Sequence, residues 1–164
     1  MTAVKTFPKP KIWLNIQLCK NLYDHFDTAA PIYGASYKDP LPPFDSRYAG
    51  RLESILESVK LRATLQDLDI IDTMILYYYK LNTGHPFFNG NKRMSTHLSS
   101  VFLYIHEFMI TIPKTQLVKL AIGLENIAPK EEDSILPNLR EFITKNIEYV
   151  PFDEGLENKE DENS

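Results

Sequence analysis

The 164-residue sequence contains one cysteine and no apolar run that approaches the roughly 18 residues of a membrane-spanning helix. A single cysteine excludes a domain held together by internal disulfides. Cys19 follows the apolar segment "IWLNIQL", which favours a core residue over a nucleophile. The first residues, "MTAVKTFPKPKIW", lack the apolar core and the cleavage site of a signal peptide. We therefore expect a cytoplasmic protein that does not enter a membrane.

An excess of positive charge is also missing, because the formal net charge is −4. The final segment, "DEGLENKEDENS", contributes −5 of that charge, and the remaining chain is close to neutral at +1. No basic surface indicates a nucleic-acid partner. The final segment has almost nothing apolar to bury, so we expect residues 151–164 to form an acidic, disordered tail. Residues 1–150 are then predicted to form a single domain with its own core.

Strand patterns are weak, whereas apolar residues recur at helical spacing. They predict helices over about residues 11–26, 46–60, 67–82, 91–105, 116–126 and 133–147. The third is apolar on nearly all sides and should be buried. Residues 27–46 contain four prolines and one glycine, which predicts either a functional loop with a small hairpin or an ordinary packed connection. We predict an all-α bundle of about six to seven helices, with at most a small β-hairpin in that segment.

A polar stretch, "GHPFFNGNKRMS", separates two of the predicted apolar helices. The second helix begins near Gly90, where its first N–H groups lack intrahelical partners and the helix dipole is positive. Lys92 and Arg93 oppose that dipole, so their placement indicates a functional site rather than a stabilising one. Helix-start N–H groups and two cations together predict a site for a polyphosphate.

The spacing in this stretch excludes two other kinds of site. Five residues separate Gly84 from Gly90, and the lysine follows an asparagine, so it is not a standard P-loop. The histidines lack the spacing of a zinc site, and His97 and His106 are interpreted as ordinary helix residues. His85 is the candidate general base, because a histidine can accept a proton from a hydroxyl at physiological pH. The alternative is that it caps the preceding helix.

The segment "HPFFNGNKR" resembles the Fic/Doc signature, His-x-Phe-x-Asp/Glu-Gly/Ala-Asn-Gly/Lys-Arg. The segment "DSRYAGRLESILESV" is similar to one in death-on-curing (Doc) proteins, and the resemblance extends over roughly Asp45–Asn146. It implies a Fic-type helical fold and a transferase that uses ATP and Mg²⁺ to modify a hydroxyl side chain of a target protein. His85 would be the catalytic base, and Arg93 would bind the nucleotide phosphates. Residues 27–46 would be the flap that docks the target.

The same resemblance implies roles for the residues inside the motif. Phe87 would point inward and anchor the loop, while Gly90 and Asn91 would form the anion-binding turn. Lys92 stands where adenylylating Fic enzymes usually have glycine and Doc-type proteins have lysine. The founding Doc protein phosphorylates elongation factor Tu. The resemblance therefore favours a Doc-like toxin that transfers a phosphoryl group, with a translation factor as the kind of target, over adenylylation (AMPylation).

Asn89 is the departure from the signature, because it occupies the position of the Mg²⁺-binding carboxylate. An amide oxygen binds Mg²⁺ more weakly than a carboxylate does. Three interpretations stay open: an enzyme whose metal is held mainly by the ATP phosphates, an altered donor, and a catalytically impaired binding module.

Control of activity is a further expectation from the resemblance. Many Fic proteins contain an inhibitory Ser/Thr-x-x-x-Glu-Gly/Asn helix, which the segment Thr144–Glu148 matches only in part, since Tyr149 replaces the last residue. An acidic residue in a terminal helix is usually solvated. A separate antitoxin chain, as in Doc systems, is the expected means of control.

Overall fold

The computed structural model describes residues 6–26, 41–124 and 131–152. This part of the chain contains six α-helices, one short 3-10 helix at Ser46–Tyr48, and two short β-strands. In chain order the elements are α1 (Ile16–Asp24), α2 (Ala49–Leu65), α3 (Ile70–Thr83), α4 (Asn91–Ile105), β1 (Phe108–Ile110), α5 (Lys114–Leu124), α6 (Glu132–Lys145) and β2 (Ile147–Tyr149). The predicted all-α fold with a small β component is confirmed.

Two of the helices begin at side-chain caps. Asn15 Oδ1 accepts the backbone N–H of Leu18 at 2.8 Å, so α1 begins at Ile16 rather than at the predicted Lys11. Asp69 Oδ1 accepts the N–H groups of Ile71 and Asp72, each at 3.0 Å, and starts α3. These bonds satisfy donors that have no partner inside the helix.

Helix α3 is the centre of the bundle and contacts α2, α4, α5 and α6. The prediction that it is buried is confirmed, since Ile70, Ile71, Met74, Tyr77 and Leu81 are fully buried. The prediction for Cys19 also holds: this side chain is fully buried, and burial raises the pKa of its thiol to about 12. Among the described residues, no helix is both long enough and apolar enough to cross a membrane.

Polar side chains fix the outer helices to α3. Tyr78 Oη donates to the carbonyl of Leu117 on α5, and Asn82 Nδ2 donates to the carbonyl of Ala121 at 2.7 Å. On the other side, the Arg140 guanidinium of α6 donates to both carboxylate oxygens of Asp69 at 2.8 and 2.9 Å. Burial raises the pKa of Asp69, but the hydrogen bonds from Arg140 and from backbone N–H groups outweigh it and leave that pKa below its usual value.

The two strands form an antiparallel sheet in which Phe108 pairs with Tyr149, and Met109 with Glu148. Helix α6 ends at Lys145, and Ile147 begins β2. The predicted extension of this helix to Ile147 is therefore wrong. No side chain caps α6, because Asp133 and Ser134, whose side chains could cap a helix, lie inside it. The hairpin predicted in residues 27–46 lies mostly outside the described residues, and residues 41–46 form no strand.

The segment before α1 is attached to the far end of α4. His106 Nε2 accepts the backbone N–H groups of Lys11 at 3.0 Å and Ile12 at 3.3 Å. The other ring nitrogen lies 2.9 Å from the carbonyl oxygen of Phe102. His106, directly after α4, thus connects residues 11 and 12 to the C-terminal end of that helix.

Candidate functional site

The site loop, residues 84–90, connects α3 to α4 and contains the polar motif. His85 has a left-handed backbone with φ +47°, whereas Gly84 is right-handed with φ −81°. The left-handed residue that ends α3 is therefore His85, although a glycine is the usual residue in this conformation and Gly84 directly precedes it. Asp67 and Glu107 also have positive φ, just after α2 and α4, so α2, α3 and α4 end in the same way.

Position 84 requires glycine because its surroundings leave no space for a side chain. A Cβ at this position would lie 2.5 Å from Ile55 Cδ1 and 2.7 Å from the carbonyl oxygen of Lys80. The close approach of α2 therefore excludes a side chain where the loop begins. The next residue, His85, is exposed at the loop surface, whereas Pro86 is buried.

Phe87 of the site loop is buried, with 3% of its surface exposed. Its ring stacks on Tyr23 of α1, with centroids 5.2 Å apart and planes inclined by 13°. Phe44 packs edge-on against both rings, at 6.2 Å from Phe87 and 5.7 Å from Tyr23. The sequence motif identifies Phe87, but the two partner rings come from segments that no local pattern connects to it.

Asn91 fixes the backbone of the same loop. The N–H of Phe87 donates to Asn91 Oδ1 at 2.9 Å, and Asn91 Nδ2 donates to the carbonyl of Phe87 at 3.0 Å. Both functional groups of the amide are thus used within the loop. Asn91 lies at the helix start where the anion-binding turn was predicted, but its side chain holds Phe87 in place.

Gly90 is the N-cap of α4 and has a left-handed backbone with φ +78°. A Cβ here would overlap with Leu41 Cδ2 and would lie 3.4 Å from Arg93 Nη2. Gly90 offers no side-chain acceptor to the first N–H groups of α4, unlike Asn15 and Asp69 at α1 and α3. The positive end of the helix dipole lies at this start of α4, where the first N–H groups have no partner inside the helix.

A cavity of about 290 Å³ lies at this helix start, lined by Asn89, Gly90, Asn91, Lys92, Arg93 and Val118. The structure thus brings together the four predicted phosphate-binding residues and Asn89. His85 and Phe87 lie outside this lining. The Arg93 guanidinium carbon is 5.9 Å from the ring centre of Phe26, which provides a cation–π contact beside Gly90.

Lys92 is held at this helix start by its backbone. Its carbonyl oxygen accepts the hydroxyl groups of Ser95 and Thr96, each at 3.0 Å. Both hydroxyl-bearing residues are fully buried, so the first turn of α4 is internally fixed. The site thus presents its lysine from a rigid element.

The described residues do not provide a protein-held Mg²⁺ site. Asn89 Oδ1 accepts the N–H of Gly90 at 2.7 Å, and the cavity lining contains no carboxylate. Within residues 6–26, 41–124 and 131–152, no group of three or more His, Cys, Asp or Glu side chains is placed to bind a metal ion. Since Mg²⁺ prefers carboxylate and water oxygens, the donor set does not fit this ion.

Lys114 and His97 are two partly buried groups beside the site that sequence reasoning did not select. Lys114 is the first residue of α5, one turn before the cavity residue Val118, and burial lowers its pKa to about 8. Burial, together with the nearby charge of Lys114, lowers the pKa of His97 to about 4. A lysine directly after Pro113 is again a cation at a helix start, and that signal could have identified it.

The partial inhibitory motif does not reach the cavity. Glu148 is exposed on β2 and pairs with Met109, which follows the C-terminal end of α4. Arg93 lies in the first turn of that helix, about 18 Å away along its axis. Residues 144–148 span a helix end and a strand rather than one inhibitory helix.

Comparison with known proteins gives a family. A model of the Fic/DOC family matches residues 12–103, more than half of the chain, including the site loop and most of α4. No curated protein matches the chain significantly. Members of the matched family are in general protein-modifying transferases that use ATP with Mg²⁺. The chain belongs to the Fic/DOC family.

Proposed function

We propose that this protein is a Doc-like transferase that moves the γ-phosphoryl group of ATP to a hydroxyl side chain of a target protein. The observation that carries the proposal is the placement of Lys92 and Arg93 in one cavity at the glycine-capped start of α4. Two cations and the helix-start donors match the charge and the acceptors of a polyphosphate.

The proposed reaction consists of a proton transfer to His85 and a phosphoryl transfer to the target hydroxyl. His85, exposed on the loop beside the cavity, takes the proton of the target hydroxyl. The hydroxyl oxygen then forms a bond to the γ-phosphorus, the bond from that phosphorus to the β-bridging oxygen breaks, and ADP leaves. Arg93 and the N–H groups of α4 bind the phosphate oxygens as charge develops on them.

Lys92 supports phosphoryl transfer over adenylylation. Lys92 lines the cavity at a position where glycine would leave space, so we expect its side chain to restrict how deeply the phosphate chain enters. Adenylylation instead needs the α-phosphorus beside the target hydroxyl, with pyrophosphate as the leaving group. It remains the alternative reaction of the same site.

The two reactions are distinguished by the position of a label. The full chain is incubated with a cell lysate and ATP labelled on either the γ- or the α-phosphate, and labelled proteins are counted after separation. Transfer from the γ-position alone supports the proposal, whereas transfer from the α-position identifies adenylylation. His85→Ala should lower the transfer rate by about 100-fold or more. His25→Ala, at an exposed histidine directly after α1, should not.

A second candidate is a nucleotide-binding module without transfer activity. The engaged amide oxygen of Asn89 favours it, because the family carboxylate is missing there. This candidate predicts that ATP binds while neither label is transferred, and that His85→Ala changes nothing.

We propose a protein as the substrate and a separate antitoxin chain as the regulator. Phe88, three residues after His85 in the site loop, is 65% exposed, and its ring lies 6.3 Å from that of Tyr48. This aromatic pair is suited to contact a target segment, such as one from a translation factor. The distance of Glu148 from Arg93 supports control by a separate chain rather than by this acid.

A further inference from the structure

We infer that this chain binds the phosphates of ATP through its own cations and donors, and that Asn89 contributes no ligand to Mg²⁺. The inference rests on the nucleotide site of the proposed function and changes how the phosphate charge is neutralised there. It concerns Asn89, which stands where the family signature has a carboxylate.

The geometry of Asn89 opposes a metal ligand. Its single side-chain oxygen accepts the N–H of Gly90 at 2.7 Å. The other terminal atom of the amide is a nitrogen that donates hydrogen bonds and cannot bind a cation. A carboxylate would differ, because one oxygen could accept the N–H of Gly90 while the second, still charged, bound the metal. Asn89 thus suits a phosphate oxygen better than a metal ion.

The charges around the cavity also support phosphate binding by the protein itself. Lys92 and Arg93 contribute two positive charges to its lining, and the lining residues that the structure describes include no acid. The start of α4 adds about half a positive charge through its dipole. A triphosphate entering this cavity therefore meets cations of the protein, where a metal-dependent site would present an acid.

The test is a calorimetric titration of the full chain with ATP, performed once in EDTA and once with excess Mg²⁺. We expect the two dissociation constants to agree within about threefold, or the value in EDTA to be the lower one. Binding more than about tenfold weaker in EDTA would overturn the inference but leave the proposed function intact. Absence of binding in both solutions would overturn both.

The matched variant is Asn89→Asp. We expect its affinity for ATP in EDTA to fall about tenfold, because the new carboxylate repels the phosphates at short range, and Mg²⁺ should restore it. Asn15→Asp makes the same charge change at the N-cap of α1, where aspartate also caps, and should bind ATP as the wild type does. If Asn89→Asp behaves like the wild type in both solutions, Asn89 does not determine the metal dependence and the inference is wrong.

Discussion

Gly84 and Gly90 bound the site loop for different physical reasons. Gly84 has an ordinary right-handed backbone and is required because Ile55 of α2 occupies the space of a side chain. Gly90 is required by its positive φ and by the proximity of Leu41 and Arg93. The sequence places both at helix boundaries, but the neighbours that leave no space for a side chain include Ile55 and Leu41, which lie far away in the sequence.

Replacing Gly90 with alanine should destabilise the protein. The left-handed backbone costs an L-residue about 1–2 kcal/mol, and the overlap with Leu41 adds to that. Gly50, inside α2 with open space around it, is the matched control, and Gly50→Ala should stabilise by about 0.5–1 kcal/mol. Urea denaturation of the two variants checks both signs, and a loss no larger for Gly90→Ala than for Gly50→Ala would contradict the assignment.

Asn91→Ala should also lower the free energy of unfolding, by about 1–3 kcal/mol, because the N–H and the carbonyl of Phe87 lose their partner. Asn138→Ala, on the exposed face of α6, should change stability by less than about 0.5 kcal/mol. Equal unfolding curves for the two variants would show that the two bonds to Phe87 do not stabilise the loop.

At the scale of elements, helical periodicity located each described α-helix but not its ends. Apolar spacing predicts which residues of a helix face the core. The ends of a helix instead depend on single residues, such as the caps Asn15 and Asp69, which this spacing does not reveal. The strands were missed for another reason. Each has three residues, too few for an alternating pattern, and Phe108 pairs with a tyrosine far along the chain. The chain between the two strands contains α5 and α6, so this pairing is not a local feature of the sequence.

The attachment of α5 to α3 depends on buried polar contacts as well as on apolar packing. Tyr78→Phe keeps the ring and removes only the hydroxyl that donates to Leu117, so we expect a loss of about 1 kcal/mol in the free energy of unfolding. Tyr104→Phe, on an exposed face of α4, is the control and should change stability little. The measurement is chemical denaturation, and equal effects of the two substitutions would show that the Leu117 contact contributes nothing.

At the scale of the whole molecule, stability should depend on pH through His97. Burial lowers its pKa to about 4 in the folded protein, whereas an unfolded histidine titrates near 6.5. Between these values the unfolded chain binds more protons, so stability falls as the pH falls from about 6.5 towards 4. The contribution lost between pH 7 and pH 5 is about 2 kcal/mol.

Urea denaturation at these two pH values checks the prediction, with His97→Gln as the variant that should lose most of the difference. Among the described residues, His97 contacts the Phe26 ring, which does not titrate, and is affected by the charge of Lys114, which stays cationic over this range. A pH dependence unchanged by His97→Gln would assign the effect to other groups.

The contact of His106 with the start of the chain has a consequence for proton placement. A ring nitrogen that accepts two backbone N–H groups carries no hydrogen, so the proton of the neutral imidazole lies on Nδ1 and points to the carbonyl of Phe102. The segment before α1 is therefore held by the Nδ1-protonated tautomer of one side chain. In the other tautomer, the N–H at Nε2 would face the N–H groups of Lys11 and Ile12, and neither bond could form.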